Sequence, residues 1–418
     1  MKRSGYPLIL FLPLVFFFFH CNPVKKIGEN NLAHLYNKDK HPYHPEFTLF
    51  QFAEDSTKLY FSVNTQELLY KTLANSELKV ASFSIKFMLF EEWDSKIVTD
   101  SSTILLNDTV INDPSGYISG FINIYSPLPE SKVLSVVMKD ILRNNAVEQI
   151  FYLSGKSVTG RYYYNLLDDN GNILYNNHLV TGKSFRLNAA FEMEKGMWVK
   201  HYSKEFPVAY PPFSVLNAQK HQLSSDSTFF LPFTNRKTSL LSFTKPGIYF
   251  FQNDTNTREG FPVFIHPYSF PEIRSPKQMT RPLQYLTTGN EFKQIISHPD
   301  EKAVVDSFWL EHAGEPDRAQ TLIRDYYKRI EEANRLFSSY VAGWKTDRGM
   351  IYVIFGPPDL VYRDENTEVW QYGETGSMLS INMIFHKIEN PFCTNDYILE
   401  RSTAYKSAWI QRVNRWRR

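Results

Sequence analysis

GWKTDRGMIYVIFGPPD, residues 343–359, links a long amphipathic run to a strand-like one in a chain of 418 residues. Upstream, Ala319, Leu322, Ile323, Tyr326, Ile330, Ala333, Phe337 and Tyr340 recur at spacings of three and four, while Arg324, Lys328, Glu331 and Arg335 share the opposite face. That periodicity predicts a helix over 316–340. Pro316 suits a first helical position and Asp317 the positive end of the helix dipole. Gly343 is expected to supply the left-handed turn that ends many helices. Residues 350–355 are almost continuously apolar, which predicts a buried strand, and Gly356-Pro357-Pro358-Asp359 breaks it. The motif is thus expected in a helix-to-strand loop. Further strands are predicted at 368–372 and 379–386, with a turn at Asp364-Glu365-Asn366, and short helices at 282–286, 291–297 and 301–312. A closing helix over 401–415 carries Tyr405, Trp409 and Val413 on one face. Helices followed by an antiparallel sheet give an α+β domain over 283–418.

The stretch resembles the signature of the GWxTD-domain family, bacterial envelope proteins with no settled activity. Gly343, Trp344, Thr346, Asp347, Arg348, Gly349, Ile351, Phe355, Gly356, Pro358 and Asp359 carry the resemblance. Arg324, Tyr327, Arg329, Ala333, Asn334 and Phe337 look like the family's preceding helix, and Glu368, Trp370 and Tyr372 like its next strand. The resemblance covers roughly the last quarter of the chain and implies a domain, with no catalytic residues.

Two readings of the motif compete. In one it forms a ligand pocket: Trp344 offers a stacking face, Arg348 a bidentate donor, and Asp347 and Asp359 acceptors. In the other it is a loop lock, with Trp344 plugging the core, Thr346 or Asp347 bonding local amides, and Arg348 paired with a carboxylate. The lock is preferred, because no metal-ligand set and no nucleophile–base pair accompanies the motif.

The first two-thirds of the chain reads as strands. Residues 47–52, 59–63, 80–87, 117–125, 133–138 and 149–153 are apolar or alternating, with Asp113-Pro114-Ser115-Gly116 as a turn. A second set lies at 160–166, 173–175, 185–190, 197–202, 228–233, 247–252 and 261–266. Asn170-Gly171 marks a hairpin; a calcium loop at Asp168-Asp169 lacks regularly spaced acidic ligands and a closing Glu. Many short strands broken by turns predict two β-sandwich-like domains, 47–153 and 160–266, parting near 154–159. The proline-rich stretch 267–282 reads as a linker. The expected fold class is therefore multidomain: two all-β domains followed by an α+β domain.

The N-terminus gives an address. Lys2 and Arg3 precede the apolar run 8–19, then His20 and Cys21. Residues 1–20 have the pattern of a secretion signal, too short for a comfortable membrane span. A cysteine at this place looks like a bacterial lipoprotein signal, although Phe18-Phe19-His20 stands where a Leu and small residues are usual. Acylation at Cys21 is expected, with 21–46 as a tether to the first domain. The expected location is the bacterial cell envelope, lipid-anchored to a membrane, the outer one by preference, on its periplasmic or surface face. His34, His41 and His44 sit in that stretch; the prolines after His41 and His44 favour solvated histidines over a metal site. With Cys21 acylated, Cys393 has no partner for a disulfide and reads as a small buried residue.

Composition excludes some functions. Hydrophobic residues at 43% and charged ones at 22% describe a globular chain, and a net charge of +2 argues against a nucleic-acid binder. Gly182-Lys183-Ser184 lacks the first glycine of a phosphate loop, with Asn177 in its place, so no nucleotide is expected. No cofactor or metal is expected. The first functional expectation is a non-enzymatic binding or scaffolding lipoprotein whose C-terminal domain engages an envelope protein or glycan. The alternative is a cell-wall or surface-glycan hydrolase using Asp347 and Asp359 as its acid–base pair, which requires the two carboxylates within about 5–9.5 Å of each other.

Overall fold

The computed structural model describes residues 27–37, 42–53, 55–125, 132–153, 160–193, 195–204, 206–215, 224–374, 376, 377 and 380–418. The signal stretch 1–20, Cys21, His41 and the expected boundary at 154–159 lie outside these residues.

The first β unit contains β1 (Glu46–Ala53), β2 (Ser56–Asn64), β3 (Lys71–Thr72), β4 (Lys79–Phe90), β5 (Val98–Val110), β6 (Tyr117–Tyr125), β7 (Lys132–Asp140) and β8 (Asn145–Leu153). A three-stranded sheet in the order β1-β2-β6 faces a sheet in the order β3-β4-β7-β8, with β5 also paired to β4. Alternation on β4 puts Ala81, Phe83, Ile85, Phe87 and Leu89 on one buried face, where they meet Leu59 and Phe61 from the other sheet. β5 was not visible in the sequence. None of its residues is fully buried and Leu105 is exposed; only Ile104 and Leu106 reach the core of this unit, so the apolar face of this edge strand is too short to betray it.

The second unit contains β9 (Tyr164–Leu167), β10 (Ile173–Leu174), β11 (His178–Val180), β12 (Ser184–Ala189), β13 (Gly196–Tyr202), β14 (Ser227–Pro232), β15 (Leu241–Ser242), β16 (Gly247–Gln252) and β17 (Phe261–His266). Its sheets run β10-β9-β12-β15 and β11-β17-β16-β13-β14, with Tyr164, Phe185, Val199, Phe251 and Phe261 between them. The hairpin at Asn170-Gly171 joins β9 to β10, and Gly171 has φ +87°. The Asp168 carboxylate accepts from the Asn172 amide at 2.7 Å and so closes that turn.

The C-terminal unit is α+β. It contains α1 (Pro276–Thr280), α2 (Gly289–Ser297), α3 (Glu301–Ala313), α4 (Pro316–Phe337), α5 (Asp347–Phe355), β18 (Leu360–Arg363), β19 (Thr367–Tyr372), β20 (Ile381–Lys387), β21 (Tyr397–Leu399) and α6 (Tyr405–Trp416). The strands form an antiparallel sheet in sequence order. The fold class is thus all-β sheets followed by an α+β part. Among the described residues no helix is long and apolar enough to cross a membrane.

One element corrects the sequence reading. Residues 350–355 are not a strand; they belong to α5, every residue of which is buried. A helix apolar on all sides has no polar face, so periodicity cannot separate it from a buried strand. The signal overlooked was Thr346, an N-cap residue followed by an acidic first turn.

Two stretches read as unstructured connectors are packed. In the expected linker, Ser275 caps α1 with a full capping box, Pro282 is buried, and the Pro271 carbonyl accepts from Asn334 Nδ2 at 3.0 Å. In the expected tether, Ile27, Leu32 and Tyr36 enter the C-terminal core, and the Leu32 amide donates to the Val361 carbonyl at 2.8 Å. The apolar residues in this stretch are too few to show a period.

Candidate functional site

The motif begins as a 3-10 turn, Gly343–Lys345, and continues as α5. Its glycines are fixed by space. Neither Gly343 nor Gly349 has positive φ, so the expected left-handed turn at Gly343 is not formed. A Cβ on Gly343 would lie 1.8 Å from the Ala333 carbonyl oxygen of α4, and one on Gly349 would lie 1.8 Å from the Gly343 carbonyl oxygen. The first turn of α5 therefore stacks on the 343–345 turn, and that turn stacks on α4, at distances that no other side chain permits. Thr346 fastens the stack: its hydroxyl donates to the Gly343 carbonyl at 2.7 Å and accepts from the Gly349 amide at 3.0 Å.

Trp344 is 6% exposed; its amide donates to Asn334 Oδ1 at 3.4 Å, and its carbonyl accepts from the Tyr285 hydroxyl at 2.9 Å. Asp347 is bonded by Arg401 at 2.6 Å and by the Leu399 amide at 2.8 Å. Burial pushes its carboxyl above the usual carboxylate range, against the pull of Arg401. Arg348 is 2% exposed and donates to Glu368 Oε2 at 3.2 Å and to the Asn395 carbonyl at 2.8 Å; its guanidinium lies 4.1 Å from the centre of the Tyr397 ring.

Glu368 is the hub that sequence reasoning missed. It is fully buried and accepts from Arg348, from Arg363 Nε at 2.6 Å, from the Tyr36 hydroxyl at 2.7 Å and from Trp370 Nε1 at 2.6 Å. Burial alone would raise its pKa, but the two guanidiniums, together with the hydrogen bonds from Tyr36 and Trp370, outweigh that and lower it. A signal existed: in TEVWQY, Glu368 shares a strand face with Trp370 and Tyr372, so it must point where they point.

The far end of the motif is equally engaged. Arg329 donates to the Val353 carbonyl at 3.2 Å, and the Tyr372 hydroxyl donates to the Gly356 carbonyl at 2.9 Å, satisfying groups at the end of α5. Gly356 has φ +87° and Pro358 is buried. Asp359 is exposed and accepts from the Gly373 amide at 2.8 Å.

The structure does not bring Asp347 and Asp359 together. Asp347 opens the nine-residue helix α5 and Asp359 lies past its other end, and the helix rises about 13 Å over that length. Cys393 is half-buried, and desolvation pushes its thiol up to about 12, away from the thiolate form that a nucleophile uses.

Beside the N-terminal end of α5 lies a cleft of about 720 Å³. Trp344, Thr346, Asp347, Asp396 and Arg401 form its base, and the segment 206–211 crosses it. That segment is pinned by the Ala209 amide to the Lys345 carbonyl at 2.9 Å and by Arg401 to the Tyr210 carbonyl at 3.1 Å. Asp396 accepts from Asn390 Nδ2 at 2.8 Å, and burial pushes its carboxyl up to about 6. The motif thus lends the cleft one apolar edge and an ion pair already formed.

Two sandwich-like units joined to an α+β domain built around a buried signature helix define a multidomain β-rich protein. The family model of the GWxTD domain matches residues 247–418, so the C-terminal part of the chain carries a GWxTD domain. No curated protein matches the chain. The match starts on β16, before the α+β domain proper, and that strand packs on the domain. Ile248, Phe250 and Phe264, on the outer face of β16 and β17, form one apolar cluster with Phe392.

Proposed function

We propose that the protein is a lipid-anchored bacterial cell-envelope protein that binds and does not catalyse, with its GWxTD domain engaging an envelope protein or glycan. One observation carries this reading: the polar side chains of the signature, Thr346, Asp347 and Arg348, are engaged in internal bonds. A general acid or nucleophile must be able to reach a substrate, whereas these groups hold α5 against α4 and the sheet. The signature is then a joint that fixes the cleft walls, and recognition falls to the residues around it. The anchor rests on Cys21 and the preceding apolar run. Several acyl chains on one cysteine would hold the protein firmly to a membrane.

The test uses the detergent-solubilised full chain as bait on envelope extract and on isolated cell-wall glycan. Arg281, exposed on the wall of the cleft, supplies the control. A binding protein retains the same species reproducibly, and Arg281→Glu weakens retention without changing the unfolding curve. Equal retention by both forms, or release of soluble fragments from the glycan, would overturn the reading.

A further inference from the structure

A second cavity, of about 410 Å³, lies between the first β unit and the GWxTD domain and shares the lining residue Tyr397 with the motif cleft. Its size falls within the range usual for small-ligand sites. Glu148 and Tyr152 of β8 line it from one side; Arg363 of β18, Lys387 of β20, Arg348 and Tyr397 line it from the other.

Charge in this cavity is unbalanced. Behind the wall, Arg348 and Arg363 share the single carboxylate of Glu368. Asp396 stands near Arg348, but it is held by Asn390 and lines the other cleft. Lys387 adds a third cation. Among the described residues no carboxylate lies within ion-pair distance of it, and its ammonium sits 3.9 Å from the centre of the Tyr152 ring. Glu148, the carboxylate on the wall, is taken by His34 at 2.9 Å and by the Ser135 hydroxyl at 2.5 Å. Burial lowers the Lys387 pKa, with Glu365 pulling the other way. Cations withdrawn from water without a full set of counter-charges are costly unless a ligand completes them. Guanidinium and ammonium groups beside aromatic rings suit a carboxylate or phosphate carried on a ring with apolar faces.

We propose that this cavity binds an acidic saccharide unit, its carboxylate or phosphate held by Lys387 and the Arg363 side of the Glu368 cluster and its ring set against Tyr152 and Trp93. Trp93 also lines the cavity, with Arg363 over its ring at 5.7 Å. The proposal rests on the reading of the protein as a binding protein of the envelope.

Calorimetric titration of the detergent-solubilised full chain tests it with four probes: galacturonate, glucose 1-phosphate, glucose and inorganic phosphate. At least one acidic sugar should bind, glucose and inorganic phosphate should bind at least tenfold more weakly, and Lys387→Gln should weaken the acidic sugar at least tenfold. Lys387 has no ion pair to lose and only its contact with the Tyr152 ring to give up, so the variant should melt close to the parent. Failure of both acidic sugars to bind the parent, binding unchanged in Lys387→Gln, or inorganic phosphate binding as well as glucose 1-phosphate would each overturn the assignment. Retention on envelope extract is read separately through the Arg281→Glu control. Loss of sugar binding with retention intact removes this cavity alone, and loss of retention with sugar binding intact removes the motif cleft alone.

Discussion

Gly349→Ala adds one methyl group at one of the two closest backbone approaches of the motif. The new Cβ would stand 1.8 Å from the Gly343 carbonyl oxygen, 2.7 Å from its carbon and 3.0 Å from Trp344 Cα, all of them backbone atoms. No rotamer change relieves a clash with backbone, so α5 must withdraw from the 343–345 turn by roughly 1 Å or more before the contact becomes tolerable. That displacement stretches the Thr346 hydroxyl from the Gly349 amide, a cap worth about 1 kcal/mol. It also pulls Asp347 from Arg401 and Arg348 from Glu368. Overpacking alone costs about 1–3 kcal/mol. Together with the lost cap, the expected loss is about 2–4 kcal/mol. The control is Gly289→Ala in the first turn of α2, where no heavy atom lies within 4 Å; it should stay within about 0.5 kcal/mol of the parent. Urea unfolding of the full chain, followed by tryptophan fluorescence, reads the right region, because Trp309, Trp344, Trp370, Trp409 and Trp416 all lie in the GWxTD domain. A Gly349→Ala protein that unfolds at the same urea concentration as the parent would refute the stacking described for α5.

Trp344→Ala should cost about 3–5 kcal/mol in the same assay, as for emptying a large aromatic site; a loss under 1 kcal/mol would mean that the ring serves a ligand in place of the core. Asp396→Asn tests the buried carboxyl of the cleft. Its pKa, about 6, is above that of the unfolded chain, so its ionisation opposes folding as pH rises from about 4 through 6. The variant should match the parent near pH 4 and exceed it at pH 7 by no more than about 3 kcal/mol; a variant less stable at pH 7 would reverse the sign. Cys21→Ser should leave soluble protein or an unprocessed precursor in cell fractionation, and membrane-bound protein at its mature size would end the lipid-anchor proposal.

Much of this architecture was legible in the sequence, and the gaps have physical causes. The three-and-four spacing of Ala319, Tyr326, Ile330, Ala333 and Phe337 located α4, because one face of that helix is buried and the other solvated. The alternation of β4 was read for the same reason. Where burial is uniform the signal vanishes. α5, buried on every side, mimicked a strand, and β5, exposed at an edge, mimicked a loop. The motif residues were visible, and so was the lock, but their partners were not. Arg348 meets a carboxylate 20 positions away and Asp347 an arginine 54 positions away, separations that only the fold can close. The docking of Tyr36 on Glu368 across 332 positions belongs to the same class.

Glu368→Gln bears most directly on the claim that the GWxTD signature is a structural joint. The change preserves shape and removes one charge, leaving the guanidiniums of Arg348 and Arg363 without the carboxylate they share. Arg348→Ala is less direct, because Arg363, Tyr36 and Trp370 still serve Glu368 after that change. Breaking a buried ionic cluster at one partner costs about 3–5 kcal/mol. The free energy of unfolding of Glu368→Gln at pH 7 should fall by that amount, with α5 exposed to proteolysis before the two β units. A variant within about 0.5 kcal/mol of the parent would contradict the claim and return Arg348 to the role of a ligand-binding residue.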